Sequence, residues 1–392
     1  MKNLYSEALN LFETTRAWRR DFHANPELGC QEVRTAGIIA AELRSLGLEV
    51  HTGYAETGVT ALLPGTHPGP TILLRFDMDA LPIQEETGAE YASQTPGMMH
   101  ACGHDGHMAI GLTVARLLLA HRDEINGAIQ LVFQPGEEGL NGAERMISDG
   151  VLDLYQPVNA LAVHLWNDRP VGWLGISPGP VMAGSAIFTV QLKGRGGHGA
   201  IPQQTIDPIV AAAQIITALQ SVVARNIAPM DDAVVSVCRV RSGDAFNVIP
   251  PSAELAGTMR WFKPRVKDTL FARFEQIVKD IASAFGCEAS IEINPLTPAV
   301  VNDPAVTQRV ISVTRQAWPE AEIETNYQTM GSEDMAFFYE RIPGCFVFVG
   351  SADPSRGLNY AHHHPRFDFD ESVLPRAAAL VTATALDLLS GQ

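Results

Sequence analysis

Charged residues are scarce in this chain of 392 residues: Asp, Glu, Lys and Arg make up 18% of it, against the roughly 25% usual for soluble domains. Such a deficit points to a large interior or an interface, and with 46% apolar residues a disordered chain is excluded. Positive charge is scarcer still, 28 Lys and Arg against 44 Asp and Glu, a net 28 − 44 = −16. That field repels phosphate backbones and anionic lipid, so no nucleic-acid partner is expected. Cysteines number five, at Cys30, Cys102, Cys238, Cys287 and Cys345; an odd, scattered set excludes a disulfide framework and fits a reducing compartment. Glu13 and Arg16 interrupt the first apolar stretch, and no uncharged run approaches the roughly 20 residues of a membrane span. The expectation is a cytoplasmic chain with no membrane partner. Repeats, low-complexity tracts and long charge runs are missing too.

What is present is long enough for two or three domains, at about 150 residues each as a prior, and its pattern reads as two. Helical spacing over 4–22 and 38–46 opens the chain. Short apolar runs at 71–74, 129–133 and 161–164, with a helical stretch at 107–119 between the first two, predict an α/β sheet flanked by helices. After Gly179 the texture changes to strands at 187–192, 234–240 and 253–259 and helices at 208–224 and 266–285, with a further strand at 287–293. The earlier style returns beyond Pro295 and Pro298. A smaller domain at 182–295 is therefore expected to interrupt a larger one formed by 1–181 and 296–392.

The densest polar cluster is His100-Ala101-Cys102-Gly103-His104-Asp105-Gly106-His107. Cys102 and His104, two residues apart on an expected extended segment, can reach one metal or bridge two. Further donors follow strands: Glu137 and Glu138 after the turn Gln134-Pro135-Gly136, and His164 at the end of 161–164. Adjacent carboxylates point different ways, so one can bind metal while the other serves as general base. Near the C-terminus His362, His363 and His364 precede Pro365. Asp77 and Asp79 share one face by period-two spacing, where carboxylates orient ligating histidines. Donors placed after strands of an α/β sheet converge on one cleft.

Two motifs mislead. Gly194-Arg195-Gly196-Gly197-His198-Gly199 matches G-x-G-x-x-G, but the next helix is delayed and no acid for a ribose follows at 217–225, so it reads as a turn exposing His198. Gly175-Ile176-Ser177-Pro178-Gly179 matches the nucleophile elbow, yet Gly179, Pro180 and Gly184 leave no helix behind Ser177.

Taken together, His23-Ala24-Asn25-Pro26-Glu27-Leu28, Asp77-Met78-Asp79-Ala80-Leu81-Pro82, Cys102-Gly103-His104-Asp105-Gly106-His107, Gln134-Pro135-Gly136-Glu137-Glu138-Gly139 and Met330-Gly331-Ser332-Glu333-Asp334 closely resemble the amidohydrolase branch of peptidase family M20. That branch includes hippurate hydrolases, N-acyl-amino-acid amidohydrolases and auxin-conjugate hydrolases, and the motifs run in order from about residue 16 to 375.

The resemblance implies a zinc-peptidase-like α/β catalytic domain with an inserted ferredoxin-like α+β dimerisation lid, and a homodimer or tetramer. It implies a site for two divalent ions, zinc, manganese, cobalt or nickel, on Cys102 as bridge, His104, Glu138, His164 and a C-terminal histidine. The pattern His-x-Pro-x-aromatic selects His363 for the last. It gives Glu137 the general-base role, His198 the oxyanion, and Asn247, Arg260 and Gly331 the substrate; a guanidinium fork and an amide suit its carboxylate. Asp77 and Asp79 stand behind the ligands. The implied reaction is hydrolysis of N-acyl amino acids to a carboxylic acid and an amino acid. Cleavage of short peptides as a dipeptidase or carboxypeptidase differs only in the acyl side, and a non-catalytic binding relative would lack a ligand or the base, all of which are present. Cys30, Phe76 and Gly136 depart from the pattern, where a bulky residue, a small residue and Ala are common.

Overall fold

The computed structural model describes residues 4–390. They form two compact units: one comprises Met182–Val300 and Thr329–Glu333, the other the rest of the described residues.

The larger unit is built on an eight-stranded sheet ordered Glu49–Tyr54, Gly58–Pro64, Asn126–Gln134, His67–Asp77, Asn159–Pro170, Gly344–Ala352, Trp173–Gly175 and Glu322–Glu324. Its middle is parallel: His67–Asp77 pairs in parallel with both Asn126–Gln134 and Asn159–Pro170, and the latter with Gly344–Ala352. Strands covered on both faces need continuous apolar runs rather than alternation, and the last six residues of Asn126–Gln134 are all buried. The helices His104–Ala120 and Val373–Leu389 are buried almost all round. The first helical stretch is broken at Leu11 into Leu4–Asn10 and Phe12–Ala24.

Parallel strands all point their carboxyl ends one way; Asp77 and Gln134 end their strands there, whereas His164, expected at the end of 161–164, lies in the middle of the longer strand Asn159–Pro170. Glu137 and Glu138 follow directly after Gln134.

In the smaller unit the chain order is strand Gly184–Lys193, helix Pro208–Ser221, strands Ala233–Arg241 and Ser252–Trp261, helix Pro264–Ala284 and strand Glu288–Thr297. The antiparallel sheet order, second, third, first, fourth, is ferredoxin-like. Val266, Leu270, Phe274, Val278 and Ala282 recur every fourth residue and are the buried face of Pro264–Ala284; burying such a side chain contributes roughly 1.5–3 kcal/mol. Asp207 accepts from the Ile209 N–H and Pro208 occupies the first turn, which sets the start of the other helix. The unit runs past the expected end at 295: Glu288–Thr297 is an edge strand, which tolerates Pro295 with a register shift between it and Thr297.

Pro208–Asn226, 19 residues, is long and apolar enough to cross a membrane by length and composition alone. Its buried side, Ala211, Ala212, Ile215 and Leu219, packs into the core of this unit.

Candidate metal centre and active site

Cys102 and His104 do not lie on an extended segment. His104 is the first residue of the helix His104–Ala120, and Gly103, at φ +91°, turns the chain between them. That left-handed conformation strains any residue with a Cβ, and it lets a thiol before the helix and an imidazole on its first turn face the same point.

Ligand atoms of Cys102, His104 and His164 lie within 4.8 Å of one another, as do those of Cys102, Glu138 and His363, and those of His104, Glu137 and Glu138. Cys102 Sγ is 3.6 Å from His164 Nε2, and His363 Nε2 is 3.1 Å from Glu138 Oε1. The three groups overlap at Cys102, His104 and Glu138, so six side chains from four parts of the chain surround one space.

Hydrogen bonds decide which imidazole nitrogens remain available. Nδ1 of His104 donates to the Asp79 carbonyl at 2.8 Å, leaving Nε2 buried with no hydrogen-bond partner. Nδ1 of His164 donates to the Leu165 carbonyl at 2.7 Å, leaving its Nε2 beside the thiol. In both rings the bonded Nδ1–H fixes the tautomer whose Nε2 lone pair can ligate. A buried nitrogen without a partner costs stability unless something occupies the site, and thiolate, imidazole and carboxylate donors together suit a divalent transition ion. The residues fit such a metal.

The third histidine of the motif is spent elsewhere. His107 Nδ1 donates to Asp77 Oδ1 at 2.6 Å, and its Nε2 accepts the Leu165 N–H at 2.9 Å. Asp77 therefore orients His107, and its other oxygen takes Arg75 Nη1 at 2.6 Å. Asp79 supports His104 through its backbone and uses Oδ2 to accept the Glu138 N–H at 2.9 Å. Period-two spacing did not anticipate this division, because the strand ends at Asp77.

The C-terminal histidines separate in the same manner. His362 is tied to the Leu165 carbonyl at 3.0 Å and packed against Trp166. His364 stacks on Tyr360 and accepts the Arg366 N–H. His363, at φ +65° with its N–H on the Ala101 carbonyl, is the one whose ring reaches the cluster.

Negative charge dominates the space. Burial opposes a charge on His104, yet Asp77, Asp79 and Glu138 outweigh it and lift the imidazole to about 10; burial, then Glu138 and Glu137, push the Cys102 thiol well up. A cation relieves both groups by replacing their protons.

The sequence reading left two buried networks unassigned. Arg75, wholly buried, reaches Asp77, Gln134 and Asp334, joining two strand ends. Arg19 pairs with Asp105, Asp368 and Glu371 between the rings of Tyr91 and Phe369, and His23 bonds Asp105 and Glu85. The motif around His23 marked this place; Arg19 looked like any charge on an amphipathic helix.

The smaller unit holds the other candidates. His198 is exposed, with Nδ1 accepting the Ala200 N–H, and its strand pairs with Val248 next to Asn247. Arg260 is half-buried, bonded to Thr258 Oγ1 and the Met259 carbonyl. Gly331 accepts the Ala183 N–H through its carbonyl. Among the two misleading motifs, the glycine turn leads to a short helical turn at Pro202–Gln204, and Ser177 is buried with no helix behind it.

A model of peptidase family M20/M25/M40 matches residues 73–387. The chain is 40% identical over 371 residues to IAA-amino acid hydrolase ILR1-like 4 of Arabidopsis thaliana, covering 94% of the chain and 84% of that protein. It is 39% identical over 378 residues to N-acetylcysteine deacetylase of Bacillus subtilis (strain 168), covering 95% and 96%. Among solved structures, a dinuclear metal-binding peptidase of the M20 family from Bacillus subtilis superposes with a TM-score of 0.86 at 34% identity, over 98% of this chain and 99% of that one.

Proposed function

This chain belongs to the M20/M25/M40 peptidase family as a hydrolase acting on amide bonds, and from that premise we propose that it hydrolyses N-acyl amino acids to a carboxylic acid and a free amino acid. The observation that carries the reading is the convergence of Cys102, His104, Glu138, His164 and His363 on one space with Glu137 at its edge. Cys102, His104, His164, Glu138 and His363 would hold the divalent ions, and Cys102 belongs to two of the overlapping donor groups. Bound there, divalent ions supply Lewis acidity and lower the pKa of water from about 15.7 toward roughly 7.

The chain's own residues do the rest. Glu137 accepts a proton from the attacking water and returns it to the leaving amine. Glu138, next to it, has its backbone N–H held by Asp79 and its carboxylate against His363. Asn247 and Arg260, with Gly331, take the substrate carboxylate, and His198 stabilises the developing oxyanion.

The smaller unit is assigned to homodimerisation. Its helix Pro208–Ser221 carries no charged side chain, and Ile209 and Val210 are exposed on it, a surface that association would cover.

One experiment tests the reading: metal-stripped protein is assayed against N-acetyl amino acids, hippurate, indole-acetyl amino acids and dipeptides, with zinc, manganese, cobalt and nickel added back singly. Metal-dependent release of amino acid from N-acyl substrates supports it. Turnover confined to dipeptides assigns a peptidase instead, and turnover indifferent to metal removes the assignment.

A further inference from the structure

Glu32 takes no part in the chemistry above, yet both of its carboxylate oxygens are committed and its side chain is wholly buried. Oε1 accepts the Gly136 N–H at 3.1 Å, and Oε2 accepts the Thr57 hydroxyl at 2.5 Å. Two residues beyond Gly136, the Glu138 N–H is taken by Asp79 Oδ2. Carboxylates from two separate segments thus grip the backbone on either side of Glu137.

The frame around Glu32 is strained. Cys30 at φ +59°, Ala55 at +44° and Glu56 at +75° all adopt the left-handed region without being glycine. The last two form the tight turn that carries Thr57; the Ala55 N–H is held there by Asp149 Oδ2 at 2.7 Å. Arg145 spans from Cys30 Sγ to Glu56 Oε1, 2.8 Å to each, and ties the two strained segments together. Such strain persists where surrounding contacts over-determine it, and it gathers at functional sites. Burial, with Asp79 also near, pushes Glu32 up to about 7, so keeping a carboxylate here works against folding.

We propose that Glu32 is a positioning residue, which with Thr57 behind it holds the Gly136-Glu137-Glu138 backbone so that both glutamates face the donor cluster. The proposal rests on the roles given to Glu137 and Glu138 above. Gly136 is at φ +61°, and losing the bond to its N–H frees the peptide plane just before the base. A displacement of about 1 Å at a catalytic group costs on the order of 10²-fold in rate.

The test compares Glu32→Ala, Glu32→Gln and Thr57→Val in the full chain, loaded with zinc and stripped of it. Amide hydrogen exchange over 131–142 needs no substrate. Glu32→Ala should exchange faster there in both states, with Val373–Leu389 and Met182–Val300 unchanged. Its kcat should fall by about ten- to a hundredfold at near-constant KM. Glu32→Gln should restore both, because its amide oxygen accepts the Gly136 N–H while its NH2 donates to the Thr57 hydroxyl, which accepts as well. Thr57→Val, which keeps its shape and removes one anchor, should lie between. Wild-type exchange over 131–142 in Glu32→Ala, loss of protection throughout the chain in all three variants, or failure of Glu32→Gln to rescue would each overturn the proposal. Failure of the hydrolase reading appears separately, as a wild-type protein inactive on every N-acyl substrate, and leaves the exchange comparison to decide this one.

Discussion

Gly136 and Cys30 are close neighbours just before the candidate base: a Cβ placed on Gly136 would sit 2.9 Å from Cys30 Sγ and 3.2 Å from Leu140 Cβ. These are two of the positions where the chain departs from the family pattern, and the structure makes them one departure. The thiol occupies the space a methyl on residue 136 would need.

Gly136→Ala therefore meets two obstacles, the contact with sulfur and a left-handed φ of +61°. Strain of that kind costs about 1–3 kcal/mol. The expected result is a lower thermal midpoint and at least a roughly tenfold loss of kcat, since the displaced turn carries the base. Adding Cys30→Ala should relieve the contact and recover part of the stability, leaving the backbone strain; an additive double variant would show that the two residues do not couple.

Glu137→Gln should keep its metal and lose about 10²-fold or more in turnover, the usual worth of general acid–base work. Metal content by atomic absorption beside kcat checks it. Turnover within a fewfold of wild type would remove Glu137 from the base role.

His362 and His363 should respond oppositely to alanine. His362 is packed on Trp166 and bonded to a backbone carbonyl, so His362→Ala is expected to lower the melting temperature and retain metal. The His363 side chain is 52% exposed and touches Glu138; His363→Ala should lose metal with little change in stability of the metal-free protein. Metal titration and thermal melts of both variants make the comparison.

His23 predicts a pH dependence. Burial opposes its charge, but the Asp105 and Glu85 carboxylates outweigh burial and raise it from 6.5 to about 9. A raised imidazole binds its proton more tightly when folded, so its stabilisation is complete below about 6.5 and disappears as pH climbs through 9. Wild-type protein should lose stability over that window. His23→Gln should show a flatter melting profile there, and an equally steep one would place the alkaline loss elsewhere.

The fold was readable in large part because its signals are local. Val266, Leu270 and Phe274 announce an amphipathic helix by spacing alone, and the apolar run of Asn126–Gln134 announces a strand covered on both faces. The break at Leu11, the helical start at His104 and the survival of an edge strand through Pro295 were not readable, since each depends on what packs alongside. Glu32 was invisible for a related reason: its partners lie 25 and 104 residues away.

Sequence by itself determined the donor chemistry, because thiol, imidazole and carboxylate are properties of residue type, and the spacing of Cys102, His104, Glu137 and Glu138 keeps them near strand and helix ends. Only the tertiary structure decided how each donor is used. His107 and His104 are equal in sequence, but Asp77 and the Leu165 N–H occupy both nitrogens of the first, while the Asp79 carbonyl occupies one of the second. A lone pair is available only where no neighbour has taken it, and neighbours are set by the fold.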